Sequence, residues 1–273
     1  MRKWKDEWDY IDIGTNLFCE QFAGKEEKII EGAFKGKCGM IITGSSLKSS
    51  LEAVKYISGR KDELPLFSTV GIHPHAARTF SEDVPSKMRT MIEKNPFVVA
   101  VGECGLDYDR MFSPKEDQIK AFEKQLDLAL ELDKPVFLHE REAADDFYDV
   151  LKNFPSLCKK AVVHCYTGSR KDAERYLNLG CKIGITGWVC DDRRNADLLD
   201  ALEAIPAESL MIETDAPYLL PRGIKGLKNP NVPENIRYVC DKVAVLKKMD
   251  REEFRKKVFE NTVLFFGLDK LDF

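Results

Sequence analysis

The stretch Tyr10–Phe18, YIDIGTNLF, decides between two architectures. Its start, Tyr10–Ile13, reads as a short buried strand, and the chain then runs on as DIGTNLF. An open doubly wound sheet wants a glycine-rich phosphate loop directly after its first strand. None is there, so that alternative loses. Outward from this strand, seven more apolar or β-branched runs recur at Met40–Thr43, Leu66–Val70, Val98–Val101, Val136–Leu138, Ala161–Val163, Lys182–Thr186 and Leu210–Thr214. Continuous apolar runs, without polar alternation, mark strands buried on both faces. Segments of helical period lie between them, such as Ser46–Ser58 and Pro114–Leu132. The second puts Ile119, Phe122, Leu126 and Ala129 on one stripe and turns Asp117, Lys120, Glu123 and Lys124 to water. Eight strands alternating with helices in 273 residues predict an α/β fold, a (β/α)8 TIM barrel, as a single domain over residues 1–273. The most irregular stretch, Pro217–Pro233, reads as a long loop after the eighth strand.

In such a barrel the chemistry sits where strands end. All four histidines lie at or just beyond the ends of these runs: His73 and His75 in FSTVGIHPH, His139 in PVFLH and His164 in AVVHC. Glu103 ends VVAVGE and Asp215 follows LMIET. Strand one adds Asp12 and Asn16, strand four Asp107, strand five Arg141 and strand eight Glu213. Imidazoles and carboxylates gathered on one rim are a donor set for a divalent cation. A water bound to such a cation ionises near pH 7, against about 15.7 in bulk, and the resulting hydroxide attacks phosphorus or a carbonyl carbon. Asp107 and Asp109 read equally well as exposed turn residues.

The balance of 42 basic and 46 acidic side chains leaves −4, so bulk charge gives no affinity for polyanions and nucleic-acid binding would need a local patch or a metal. Eight cysteines without C-x-x-C spacing read as reduced thiols, and no base is evident to make Cys104 or Cys165 a nucleophile. The start, MRKWKDEWDY, lacks the apolar core of a secretory signal, and no run approaches the roughly 20 apolar residues of a membrane span. An intracellular, cytoplasmic protein with no membrane contact and no obligate protein partner is expected, with the nucleus as the alternative.

The series GIHPH (71–75), GECGLDYDR (102–110), FLHER (137–141), VVHCYTGS (162–169), GITGWVCDDRR (184–194) and ETDAPYLLPR (213–222) resembles the TatD family from about Ile11 to Gly267. These are metal-dependent deoxyribonucleases within the amidohydrolase-like barrels. The resemblance implies that Glu103, His139, His164 and Asp215 carry the metal site, with Glu103 able to bridge two ions. It also implies that His73 and His75 line the site near the scissile phosphate, and that Arg141 pairs with a phosphate oxygen. Many relatives begin with Asp-x-His-x-His, where this chain has Asp12-Ile13-Gly14-Thr15-Asn16. One firm ion and a weaker second are therefore expected, as Mg2+, Zn2+ or Mn2+. Two further departures are Val232, where relatives often carry glutamate, and Glu140, where cysteine is common.

The expected activity is hydrolysis of DNA phosphodiesters from the 3′ end of a single strand, with RNA as a second substrate and DNA degradation or repair as the setting. The polarity and the nucleic-acid preference come from the resemblance. Asp215, Glu103, His73, His75 and Arg141 are the expected catalytic group. Arg110, Lys115, Arg193, Arg194, Arg222, Lys225 and Lys228 are rim cations for a backbone, and Tyr166, Trp188 and Tyr218 are available for base stacking, with ordinary packing as the alternative for each. A lactone or cyclic-amide hydrolase of the same barrel type, and a weakly metal-binding barrel without catalysis, are the competing readings.

Overall fold

The computed structural model describes residues 7–60 and 64–271. Eight strands are present: β1 (Tyr10–Thr15), β2 (Cys38–Ile42), β3 (Leu66–Val70), β4 (Val98–Asp107), β5 (Val136–Arg141), β6 (Ala161–Val163), β7 (Lys182–Ile185) and β8 (Leu210–Ile212). Each pairs in parallel with the next, in chain order. The helices are α1 (Glu26–Lys35), α2 (Leu47–Ser58), α3 (Val84–Lys94), α4 (Lys115–Glu131), α5 (Ala144–Leu151), α6 (Pro155–Cys158), α7 (Arg170–Leu179), α8 (Ala196–Ala204), α9 (Ile236–Leu246) and α10 (Arg251–Phe265). The arrangement is the expected TIM barrel. Its seam closes where Thr15 bridges Ala216 and where the Asn16 N–H donates to the Ala216 carbonyl at 2.8 Å.

Strand side chains alternate between two apolar layers. Met40, Leu66, Leu138, Val163 and Ile212 face the helices. Ile41, Phe67, Phe137, Val162 and Met211 fill the barrel, together with Val263, Phe266 and Leu268 from the end of α10 and beyond. That interior packing closes one end of the barrel, so the open rim is the end where the strands finish.

The expected strands are all present, with one informative difference. β4 runs six residues beyond its expected end at Val101, through GECGLD to Asp107. Its register against β5 slips between Gly102 and Cys104. Gly102 and Gly105 have φ of 133° and 141°, which other residues rarely adopt, and an added Cβ at either would strike the β5 backbone. Val101 and Cys104, three apart, both join the outer layer. A regular strand would put them on opposite faces, so the bulge turns Glu103 inward.

Candidate metal centre and active site

Period two carries the site residues to the rim. His139 is two residues beyond interior Phe137, His164 two beyond Val162, and Glu213 two beyond Met211. The Phe137 ring lies 4.4 Å from the His164 ring, centroid to centroid, so the barrel's apolar filling is the floor of the site. Glu103, on its bulge, meets three imidazoles through one oxygen. Its Oε1 lies 3.2 Å from His73 Nε2, 3.1 Å from His139 Nδ1 and 2.8 Å from His164 Nε2. Asp107 Oδ2 lies 2.8 Å from His75 Nε2 and 3.2 Å from His139 Nε2. His164 Nδ1 is 3.2 Å from Glu213 Oε2.

The residues expected from the sequence meet in this network unevenly. His73, His75, Glu103, His139 and His164 all belong to it. Asp215 stands beside it and is tied to strand one, its Oδ1 accepting from Asn16 Nδ2 at 2.9 Å. Among the described residues it has no hydrogen bond to the histidines or Glu103. Arg141 turns to the mouth, where its Nη2 forms an ion pair with Asp109 Oδ2 at 2.9 Å. Glu140 accepts the Ala143 N–H at 2.9 Å and so shapes the turn after β5. Tyr166 does not serve as a stacking platform: it is 2% exposed and its hydroxyl donates to the Ser169 carbonyl. Its aromatic bulk is spent on packing edge-to-face against Tyr176 of α7. Trp188 has one face covered by the Arg194 guanidinium, 3.6 Å from the ring centroid, while Tyr218 is exposed.

Asp107, for which the sequence allows ligand or turn alike, is fully buried within β4. Its Oδ1 also accepts the N–H groups of Asp109 and Arg110. Two residues of α4 lie outside the sequence expectations. Gln118 Oε1 accepts from Asp107 N at 2.8 Å, and its Nε2 donates to the carbonyls of Asp107 and Ser113 at 3.0 and 2.8 Å. Gln125 repeats the device at Ile72, accepting from its N–H at 2.7 Å and donating to its carbonyl at 3.1 Å, one residue before His73. A signal for them is present: positions 118 and 125 are seven apart and share a face with Phe122 and Ala129.

In the sequence Glu213 is no more than a neighbour of Asp215, yet it fills a defined cradle. A Cβ on Gly14 would strike its Oε2, and one on Gly184 would stand 2.7 Å from its Oε1. The Cys165 N–H also donates to Oε1, at 2.6 Å. Cys165 and Asp215 both hold positive φ, 47° and 52°, at the ends of their strands.

Electrostatics follow from burial and pairing. Burial drives the His73 imidazole down to about 4, against the pull of Glu103. His139 is depressed by burial but raised more by its bonds to Asp107 and Glu103, and the net direction is up. His164 moves well up, as Glu213 and Glu103 outweigh its burial. Glu103 falls well below the usual carboxylate range because the surrounding imidazoles overcome desolvation. Desolvation pushes Asp215 up to about 7, with His164 opposing.

The donors suit a cation. His139 and His164 each face carboxylate oxygens through both ring nitrogens. A neutral imidazole carries one N–H, so each ring is either doubly protonated or shares one position with a metal in place of a proton. His73, Glu103 and His139 offer three ligand atoms within 4.8 Å of one another, a group that could hold a metal ion.

Residues 11–267 match the family described as TatD related DNase. The chain belongs to that family. It is 44% identical over 263 residues to the 3′-5′ ssDNA/RNA exonuclease TatD of Rahnella sp. (strain Y9602), covering 94% of this chain and 98% of that protein. It is 42% identical over 261 residues to the protein of the same name from Erwinia amylovora, covering 94% and 100%. Among solved structures, a TatD homologue from Escherichia coli K12 superposes with a TM-score of 0.85 at 30% identity, over 95% of this chain and 98% of that one. A TatD family hydrolase from Entamoeba histolytica gives 0.83 at 27% identity, over 94% and 98%. The TatD-family membership and the barrel agree with the resemblance read from the six motifs. Among the described residues, no helix is long and apolar enough to cross a membrane.

Proposed function

We propose that this TatD-family hydrolase is a metal-dependent 3′-5′ exonuclease that cleaves phosphodiesters of single-stranded DNA, and of RNA as a second substrate. The observation that carries the reading is Glu103 Oε1 within 3.2 Å of His73, His139 and His164 on one rim, in a chain 42% identical to a TatD exonuclease. Glu103 is the central ligand. His139, His164 and Asp215 complete the set implied by the resemblance. His73 stands against the same carboxylate oxygen and, with His139, supplies a weaker second position.

A divalent cation bound there supplies Lewis acidity at a phosphoryl oxygen and a water acidic enough to ionise near neutral pH. The chain's own groups do the rest. Asp215, steadied by Asn16, accepts the proton of the attacking water. His75, held by buried Asp107 at 2.8 Å, faces the opening and steadies charge on the phosphate. Arg141 lies at the mouth, where exchanging Asp109 for a phosphate oxygen keeps a charge-assisted bond. Eight free cysteines accord with a reducing, cytoplasmic setting.

Digestion of 3′-labelled against 5′-labelled single strands, with EDTA and with Mg2+, Mn2+ or Zn2+ restored, tests the reading. Glu103→Ala and His139→Ala are expected to lower kcat/KM by at least about 100-fold. Cleavage that survives EDTA, or variants as active as the parent, would refute it.

A further inference from the structure

Beyond the metal centre, the loops following β7 and β8 form a half-open cavity of about 420 Å³, lined by Trp188, Arg194, Leu219, Arg222, Ile224 and Asn229 among others. Asp191, 3% exposed, sits in its wall and draws three arginines. Arg193 donates to both carboxylate oxygens at 2.7 Å. Arg194 Nε donates to Oδ2 at 2.9 Å, and Arg222 Nε forms an ion pair with the same oxygen at 3.3 Å. Arg193 alone satisfies the carboxylate in the bidentate manner. The other two guanidinium groups bring two uncompensated positive charges to one wall. Holding like charges together is unfavourable unless an anion joins them.

The arginines are also aimed. Arg194 lies flat on Trp188, whose Nε1 donates back to the Arg194 carbonyl at 3.1 Å. Arg222 has no directed hydrogen bond among the described residues, which leaves its fork to the cavity side. The loop beneath is sewn in place by buried Asn231, whose Nδ2 donates to the carbonyls of Thr214 and Tyr218 at 3.2 and 2.8 Å. One loop thus starts at Asp215 on the metal rim, passes exposed Tyr218 and ends as the cavity wall. Lys225 and Lys228 are exposed on it.

We infer that this cavity is a second phosphate subsite, which takes a backbone phosphate of the substrate strand on the 5′ side of the scissile bond. The inference rests on the exonuclease reading for the polarity of the strand, and it deepens it by assigning where the uncleaved chain is held. Planar guanidinium forks match the two free oxygens of a phosphodiester, and exposed Tyr218, on the loop that joins the two sites, supplies the base platform.

The test uses single-stranded DNA of about ten nucleotides, within the span that such grooves track. Its affinity is read by fluorescence anisotropy in EDTA, for the parent protein, Arg222→Gln and Arg194→Gln/Arg222→Gln. The double variant is expected to bind about tenfold more weakly, and its salt slope to fall by about 0.7 for each phosphate it no longer neutralises. The kcat/KM ratio of this strand to a dinucleotide, whose single phosphodiester is the scissile one, falls by the same factor. Arg222→Gln leaves the Arg193 pair on Asp191 intact and carries the test if the double variant does not fold. Variants that match the parent in affinity, salt slope and substrate ratio overturn the subsite while leaving the nuclease intact. A parent that binds the strand through Arg222 but cleaves no substrate overturns the nuclease reading and leaves the subsite standing.

Discussion

Gln118→Ala is the most direct probe of how the fold holds the site. Gln118 is 1% exposed, and its amide spends three hydrogen bonds on the backbone of Asp107 and Ser113. Alanine leaves the Asp107 N–H buried without a partner and thins the bonding of two carbonyls. An orphaned buried donor costs about 1–3 kcal/mol and each missing carbonyl bond about 0.5–1, so the change is worth about 3 kcal/mol. With about 2.1 cal/mol/K of unfolding entropy per residue over 273 residues, that lowers Tm by about 5 °C. Gln118→Met keeps the volume but not the amide, so it separates packing from hydrogen bonding. It should retain most of the loss. Because Asp107 grips His75 and His139, both variants should also weaken metal binding by about tenfold, read by calorimetric titration. A Gln118→Met protein that melts within about 1 °C of the parent and binds metal equally would refute the reasoning.

Four other outcomes are expected. Burial lifts the Asp12 carboxyl to about 7 from an ordinary 3.8, so the folded state holds its proton more tightly than the unfolded chain. Its contribution is fully present below pH 3.8 and is lost as pH rises to about 7, on the order of 4 kcal/mol. Asp12→Asn should therefore melt higher than the parent at pH 8 and alike at pH 3.5; an equal offset at both pH values would contradict this. Gly14→Ala drives a methyl into the Glu213 carboxylate and should cost about 1–3 kcal/mol; unchanged Tm in a thermal melt would count against it. A metal at 100 times its Kd should stabilise the fold by about 2.7 kcal/mol, so EDTA should lower Tm measurably. His75→Ala should lower kcat by about 10- to 100-fold, with metal affinity held within about threefold; loss of the metal instead would make His75 a ligand.

The barrel is legible because parallel strands buried on both faces are short apolar runs, and eight of them recur between segments of helical period. Strand ends are less so. Val98–Val101 reads as the whole of β4, because GECGLD looks like a loop until glycine backbones at positive φ admit a bulge. His139 and His164 can be found by position alone, since period two carries a rim residue inward, whereas Glu103 reaches the rim only through the bulge. Asp107 cannot be found so, because the same short polar side chain serves an exposed turn or a buried anchor. Gln118 and Gln125 escape because a helix stripe is read for its apolar members, although two amides on that stripe have no reason to be buried unless they hold backbone. Tyr166 suggests stacking because an aromatic near a rim motif gives no sign of which way it points.

The space above Gly14 couples two distant positions of the chain. Glu213 occupies the room that a side chain on that strand-one position would need, so a larger residue there requires the carboxylate opposite to move. A larger residue at position 14 is therefore expected to be tolerated only when position 213 is shortened with it, so the two positions, far apart in the chain, act as one unit beside His164.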